Sequence, residues 1–255
     1  MSTQEGSFDG RWILVSGASS GIGRAIAIEL LQDGARTVLL GRREARLHET
    51  AQLSGVPERT EVLALDLART EEIGPAVKAL SARIGRIYGL CHCAGVVQTL
   101  PLAGSTPARV RAMMELNFLA GLELARATTR RDILAESGGS ILWIASTYAH
   151  VGAPGQIGYC ASKGAIVSAA RAMALELAAR NVRVNCISPG LVRTEMTQEE
   201  NSRMSKEQWA RIAALHPLGM GEPRDVARAA LFMLNPDNKW ITGADLVVDG
   251  GYLLH

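Results

Sequence analysis

Eight residues, Ser16-Gly17-Ala18-Ser19-Ser20-Gly21-Ile22-Gly23, constrain this chain more than any other stretch. They follow an apolar run at 11–16 and open a helical pattern at 23–33. Glycine lets the backbone turn tightly and lets a ligand approach without a Cβ in the way. Amides at the start of a helix, together with its dipole, favour a pyrophosphate. The spacing is G-x-x-x-G-x-G rather than the common G-x-G-x-x-G fingerprint, so the strand-turn-helix context carries the nucleotide reading. A plain βα turn is the alternative.

The same rhythm continues to the end. Apolar or β-rich runs at 11–16, 37–41, 61–65, 88–93, 140–145, 183–187 and 245–248 predict seven strands. Most lack clean alternation, as parallel strands covered on both faces do. Helical patterns fall at 23–33, 43–53, 71–84, a broad 108–136, 158–180 and 224–234. Such βαβ alternation predicts an α/β fold of the Rossmann type, a doubly wound parallel seven-stranded sheet with helices on both faces. No repeat or linker divides residues 1–255, which predicts a single domain. Residues 191–221 interrupt the rhythm with Met196, Met204, Trp209 and Met220 and are expected to form a substrate lid, because ligands bind beyond the carboxyl ends of such strands.

Composition narrows the function. Of 255 residues, 47% are hydrophobic and 20% charged, enough for a large core. A net charge of +2 argues against a nucleic-acid or anionic-membrane partner. No run approaches the ~18 apolar residues of a membrane span, and residues 1–9 carry no apolar signal core. Cys91, Cys93, Cys160 and Cys186 have no disulfide-framework spacing and read as reduced thiols of a cytoplasmic protein. Cys91-His92-Cys93 lacks a second ligand pair, so strand packing is favoured over a metal site, and none is expected.

Two further features carry chemistry. The second strand ends Leu39-Leu40-Gly41-Arg42-Arg43, with glycine where an NAD site usually places an acid for the ribose 2′-hydroxyl. Guanidinium groups suit a 2′-phosphate, which predicts NADP(H) in preference to NAD(H). Asp66, ending the third strand, is a candidate acceptor for the adenine amino group. Farther along, Tyr159 precedes Lys163 by one helical turn, so both lie on one face. A phenol titrates near pH ~10, and a cation one turn away is expected to pull that value down and make a general acid. Ser146 follows a strand and completes the set. Tyr148 is a rival phenol, but Gly152 stands one turn beyond it.

The Ser16–Gly23 turn, Asn117, Ser146, Tyr159, Lys163, Pro189-Gly190 and Asp249-Gly250-Gly251 occur in the order and spacing of a family. Across nearly its whole length the chain resembles a short-chain dehydrogenase/reductase of the single-domain branch. The resemblance implies that Ser146 holds a substrate carbonyl, Tyr159 donates a proton to it, and Lys163 lowers the tyrosine pKa and binds the nicotinamide ribose. Asn117 would hold a water in the proton relay. Cofactor contacts are implied for Ser16, Gly17, Ser19, Ser20, Gly21, Ile22, Gly23, Arg42, Arg43, Asp66, Leu67, Ala94, Gly95, Pro189, Gly190, Val192 and Thr194. His92-Cys93-Ala94-Gly95 replaces the usual Asn-Asn-Ala-Gly. A homotetramer is implied, with the 158–180 helix and the tail in contacts. Gly158–Ala165 and Val184–Gly190 are most similar to 3-oxoacyl-[acyl carrier protein] reductases. A sugar or polar-alcohol dehydrogenase and a catalytically silent NADP-binding sensor or scaffold remain alternatives. His150 and Gln156 are equally open to a pocket or a loop role.

Overall fold

The computed structural model describes residue 8 and residues 10–202 and 205–254. Its frame is one parallel sheet of seven strands. These are β1 (Trp12–Ser16), β2 (Arg36–Gly41), β3 (Thr60–Ala64), β4 (Ile87–His92), β5 (Gly139–Ile144), β6 (Val182–Pro189) and β7 (Asp245–Val248). They lie in the order β3-β2-β1-β4-β5-β6-β7. Val15 pairs with Leu39 on one side and Cys91 on the other, placing β1 beside both β2 and β4. The winding direction reverses there, and such a reversal opens a crevice at the carboxyl edge.

Side chains alternate between two cores, so apolar runs without polar interruption are what the strands require. Leu14, Val38, Leu90, Trp143 and Val184 pack with α3 (Thr70–Ile84), α5 (Ala120–Thr128) and α6 (Ile157–Leu177). Ile13, Val15, Leu39, Leu142 and Ile187 pack on the other face with α1 (Gly21–Gln32), α2 (Glu44–Leu53) and α9 (Pro223–Leu234). The cysteines of Cys91-His92-Cys93 point to this second face, and their sulfurs lie 3.5 Å apart. His92 turns to the first face and meets Trp143 edge-on, with ring centroids 5.2 Å apart.

The broad helical pattern at 108–136 is corrected. It divides into α4 (Pro107–Met114), a π turn (Glu115–Leu119) and α5, which ends at Thr128. Ala120 N–H donates to the Glu115 carbonyl, five residues back instead of four. Long-range packing, invisible to periodicity, accompanies the break: the Trp143 and His92 rings occupy the space beside Gly121. A Cβ there would lie 2.3 Å from Trp143 Cζ3 and 2.6 Å from His92 Cδ2.

The described residues of the 191–221 segment, which do not include Met204, hold two short helices, α7 (Glu195–Asn201) and α8 (Lys206–Ala214), each opened by a reciprocal capping box. A bridge between Val192 and Gly221 ties the ends together, with Arg193 N–H donating to the Gly221 carbonyl at 2.9 Å. The excursion therefore leaves and rejoins the body at one point.

Gly121→Ala tests the packing. Alanine normally gains about 1 kcal/mol over glycine in a helix, whereas overpacking a filled core costs about 1–3 kcal/mol or more. With Trp143 fully buried, a net loss of roughly 1–2 kcal/mol is expected from the urea midpoint. An unchanged or raised midpoint would refute the account.

Candidate active site

The glycine-rich turn is built by close approach. Gly17 has φ +70°, and a Cβ on it would lie 2.9 Å from Ala94 N; one on Gly23 would lie 2.4 Å from the Gly17 carbonyl oxygen. Ser16 Oγ accepts hydrogen bonds from Cys93 N–H (3.1 Å) and Ala94 N–H (3.2 Å), locking the ends of β1 and β4 together. Ser16 is thus fully buried behind the turn, while Gly17, Ser19, Ser20, Gly21, Ile22 and Gly23 line a cleft of about 260 Å³. Ser20 provides no side-chain cap to α1, and the first turn holds no acid. Its leading amides and the helix dipole are therefore directed at the cleft, an arrangement suited to a pyrophosphate.

Arg42 and Arg43 flank this cleft beside Gly41, with Asp66 and Leu67 at the end of the next strand. Arg43 Nη2 donates to Ser19 Oγ and Ser20 Oγ, each at 3.3 Å, and lies 3.6 Å from Glu195. Arg46 pairs with the same carboxylate at 2.5 Å. Asp66 Oδ1 accepts from Ala68 N–H, a local turn bond. On the opposite side stand Ala94, Gly95 and Thr194, with Glu195 and Met196 from α7. Met196 belongs to the segment expected to form a lid, whereas the residue pattern gave no signal for Glu195, which only the folded-back 191–221 segment brings to the turn.

A second hollow continues past Ile144 and holds Ser146, Tyr159, Lys163, Pro189, Gly190 and Val192. Ser146 leaves β5 in an extended conformation, and its Oγ accepts from Tyr148 N–H. Tyr159 and Lys163 lie one turn apart on α6, with the Lys163 nitrogen 5.6 Å from the Tyr159 ring centroid. Lys163 Nζ donates to the Ile144 carbonyl at 2.8 Å. The Ser146 hydroxyl lines the same hollow as Tyr159 and favours its ionised form.

The electrostatics correct one expectation. Burial dominates and pushes Tyr159 well above its ordinary value despite the nearby Lys163, and the Ser146 hydroxyl opposes this only in part. The carboxylate of Glu200 and the neighbouring Tyr148 push the same way. Burial also lowers Lys163 to about 8. Desolvation wins for both because each loses water before it gains an opposite charge.

Asn117 is fully buried in the π turn. Its Oδ1 accepts from Val96 N–H (2.8 Å), and its Nδ2 donates to the Val96 carbonyl and Ser162 Oγ, both at 3.0 Å. A Cβ on Gly95 would lie 3.1 Å from Asn117 Oδ1 and 3.8 Å from Lys163 Nζ, so the missing side chain leaves a gap flanked by both. His150 settles outside the hollow: its Nε2 lies 2.7 Å from Asp245 and 3.3 Å from Ser188 Oγ. Gln156 is buried and donates to Thr99 Oγ1, which itself donates to Glu200 at 3.4 Å.

A family model described as enoyl-(acyl carrier protein) reductase matches residues 17–253. A 3-oxoacyl-[acyl-carrier-protein] reductase of Chlamydia pneumoniae is 32% identical over 244 residues, covering 95% of this chain and 96% of that protein. An NAD-dependent glycerol dehydrogenase of Listeria innocua is 36% identical over 248 residues, covering 94% and 93%. Among solved structures, a short-chain type dehydrogenase/reductase from Mycobacterium ulcerans superposes with a TM-score of 0.89 at 31% identity, covering 97% of this chain and 91% of that one.

The buried lysine has a thermodynamic signature. Unfolded, Lys163 keeps its proton up to its ordinary value of 10.5; folded, it releases it above about 8. The unfolded chain binds more protons between these values, so this group makes stability rise with pH across that window. The rise is on the order of 3 kcal/mol. Urea unfolding of the parent and Lys163→Met at about pH 8 and pH 10 should show it as a difference between the two proteins, and a pH-independent difference would refute it.

Proposed function

Because the chain belongs to the short-chain dehydrogenase/reductase family, we propose that it reduces a small-molecule ketone to a secondary alcohol with NADP(H). The observation that carries this reading is the convergence of Ser146, Tyr159 and Lys163 beside the cleft under the glycine-rich turn. The open amides of α1 and the glycine approaches fit a dinucleotide. The turn from Gly17 to Gly23 would hold the pyrophosphate, with Ser16 acting from behind it. Asp66 and Leu67 would hold the adenine, Ala94 and Gly95 would border the cofactor, and Pro189, Gly190, Val192 and Thr194 would orient the nicotinamide. Arg42 and Arg43, with Gly41 in place of an acid, support a 2′-phosphate; such a phosphate would take Arg43 from Glu195.

A bound nicotinamide supplies the hydride. Ser146 holds the carbonyl oxygen, and Tyr159 gives it a proton as negative charge develops. Burial keeps the phenol protonated at neutral pH, which favours the donor form that reduction needs. Lys163 and Asn117, on either side of the Gly95 gap, would return the proton through a water held between them. Lys163 would also bind the nicotinamide ribose. The 191–221 segment would act as the lid of this single domain.

A 3-oxoacyl thioester is the first substrate class, supported by the Chlamydia relative. A polyol or sugar is the second, supported by the Listeria relative and by the polar Gln156–Thr99–Glu200 chain near Tyr159. The four free thiols fit a reducing cytoplasm, and no helix among the described residues is long and apolar enough to cross a membrane. Leu175 on α6 and Leu254 in the tail, 84% and 85% exposed, are candidate contacts of a homotetramer.

Two outcomes test the reading. With acetoacetyl-coenzyme A or dihydroxyacetone, Tyr159→Phe should lower kcat at least about 100-fold while NADPH fluorescence titration is unchanged; retained turnover would exclude Tyr159 as the donor. Arg42→Ala/Arg43→Ala should cut the NADPH-to-NADH ratio of kcat/KM about 10- to 100-fold, the worth of one charge-assisted hydrogen bond. An unaltered ratio would remove the 2′-phosphate assignment.

A further inference from the structure

His92 stands where the family usually has asparagine, and none of the steps above uses it. The ring is 1% exposed, and burial lowers it to about 3, with the nearby Lys163 ammonium acting in the same sense. It is therefore neutral, so one ring nitrogen carries a proton and the other accepts. Ser16 decides which. Its Oγ lies 2.9 Å from His92 Nδ1 and already accepts two backbone N–H groups, from Cys93 and Ala94. Both lone pairs are occupied, so its O–H must donate to Nδ1. The imidazole proton accordingly sits on Nε2.

That N–H is buried and has no hydrogen-bond partner among the described residues. The Cδ2–Nε2 edge that carries it lies against Gly121, just past the π turn, and the backbone of Leu116 and Asn117 acts on the ring. Both belong to the π turn, where the widened repeat departs from regular α-helical bonding. Trp143 fixes the ring edge-on, and Gly121 leaves room for both rings. One line of contact thus runs from the hydroxyl of Ser16 at the glycine-rich turn, through the His92 ring, to the helix beside Asn117.

We infer that His92 is a positioning residue, a fixed Nε2–H imidazole that links Ser16 to the π turn and holds Asn117 facing the Gly95 gap and Lys163. This rests on the reading that Asn117 serves proton return. The imidazole spans from β4 to the helix at Gly121, so the departure from the family pattern places a ring where it can brace the turn that carries Asn117.

Nitrogen-15 histidine spectra of the intact protein test the link without turnover. The chain has five histidines, and loss of one signal in His92→Gln assigns the resonance. The expected result is a bare Nδ1 and a protonated Nε2, unchanged from about pH 5 to 9. An Nδ1–H tautomer or a titrating ring would overturn the inference.

Kinetics test its consequence. His92→Leu, which neither donates nor accepts, should lower kcat about 10- to 100-fold through misplacement, with NADPH affinity within about twofold. His92→Gln, whose amide can do both, should recover part of the loss. If Asn117→Ala is impaired while His92→Leu is not, the positioning role falls and the relay stands. If Asn117→Ala is fully active, the relay itself falls and takes the role with it. If His92→Leu loses NADPH affinity in proportion to kcat, the ring supports the turn alone, and the inference is overturned. Should His92→Leu not fold, the spectra and His92→Gln decide.

Discussion

The site depends on how closely the carboxyl ends of β1 and β4 are held together. A sheet that reverses its winding between these strands leaves a crevice by topology alone, but topology does not set its dimensions. Here a single hydroxyl does much of that work. Ser16 Oγ binds two successive amides of the segment leaving β4 and brings Ala94 so near Gly17 that no side chain fits between them. The turn, the path of residues 93–96 and the side chain of Asn117, which clamps Val96 from behind, all take their places from that contact.

Charge and burial compete throughout the hollow, and burial prevails. Proximity of a lysine to a tyrosine invites the conclusion that the phenol becomes more acidic. The lysine is itself stripped of water, directs its ammonium at a carbonyl, and gives up part of its own basicity. The two groups are better understood as a protonated donor held ready and a weakened cation beside it. That pairing suits delivery of a proton to an oxygen gaining negative charge, because the donor changes state only when the reaction supplies the charge.

Most of this architecture was legible in the residue pattern, because local physics writes it there. Every strand was visible as an apolar or β-rich run, most clearly in the central strands β1, β4 and β5, where burial on both faces demands one. The glycine-rich turn and the Tyr159–Lys163 pair were visible because their spacings are local. What escaped was set by distant neighbours. The π turn accompanies a β5 tryptophan and a β4 histidine crowding a glycine 22 and 29 residues away in the chain. The upward displacement of Tyr159 comes from surroundings that no i,i+4 rule contains. Glu195 was missed for the same reason: its place at the turn depends on the segment that folds back there.

The π turn has one more consequence. A helix advances about 100° per residue, so the additional residue in that wide turn rotates everything on one side of it by that amount relative to the other. Asn117 sits within the turn and α5 follows it. Removing one residue there would restore an unbroken α-helix, more regular in its bonding, and would swing the asparagine away from Val96. Local regularity and the Asn117–Val96 clamp are therefore opposed in this segment. That clamp fixes the number of residues between Pro107 and Thr128, in a stretch where an amphipathic helix could otherwise gain or lose whole turns.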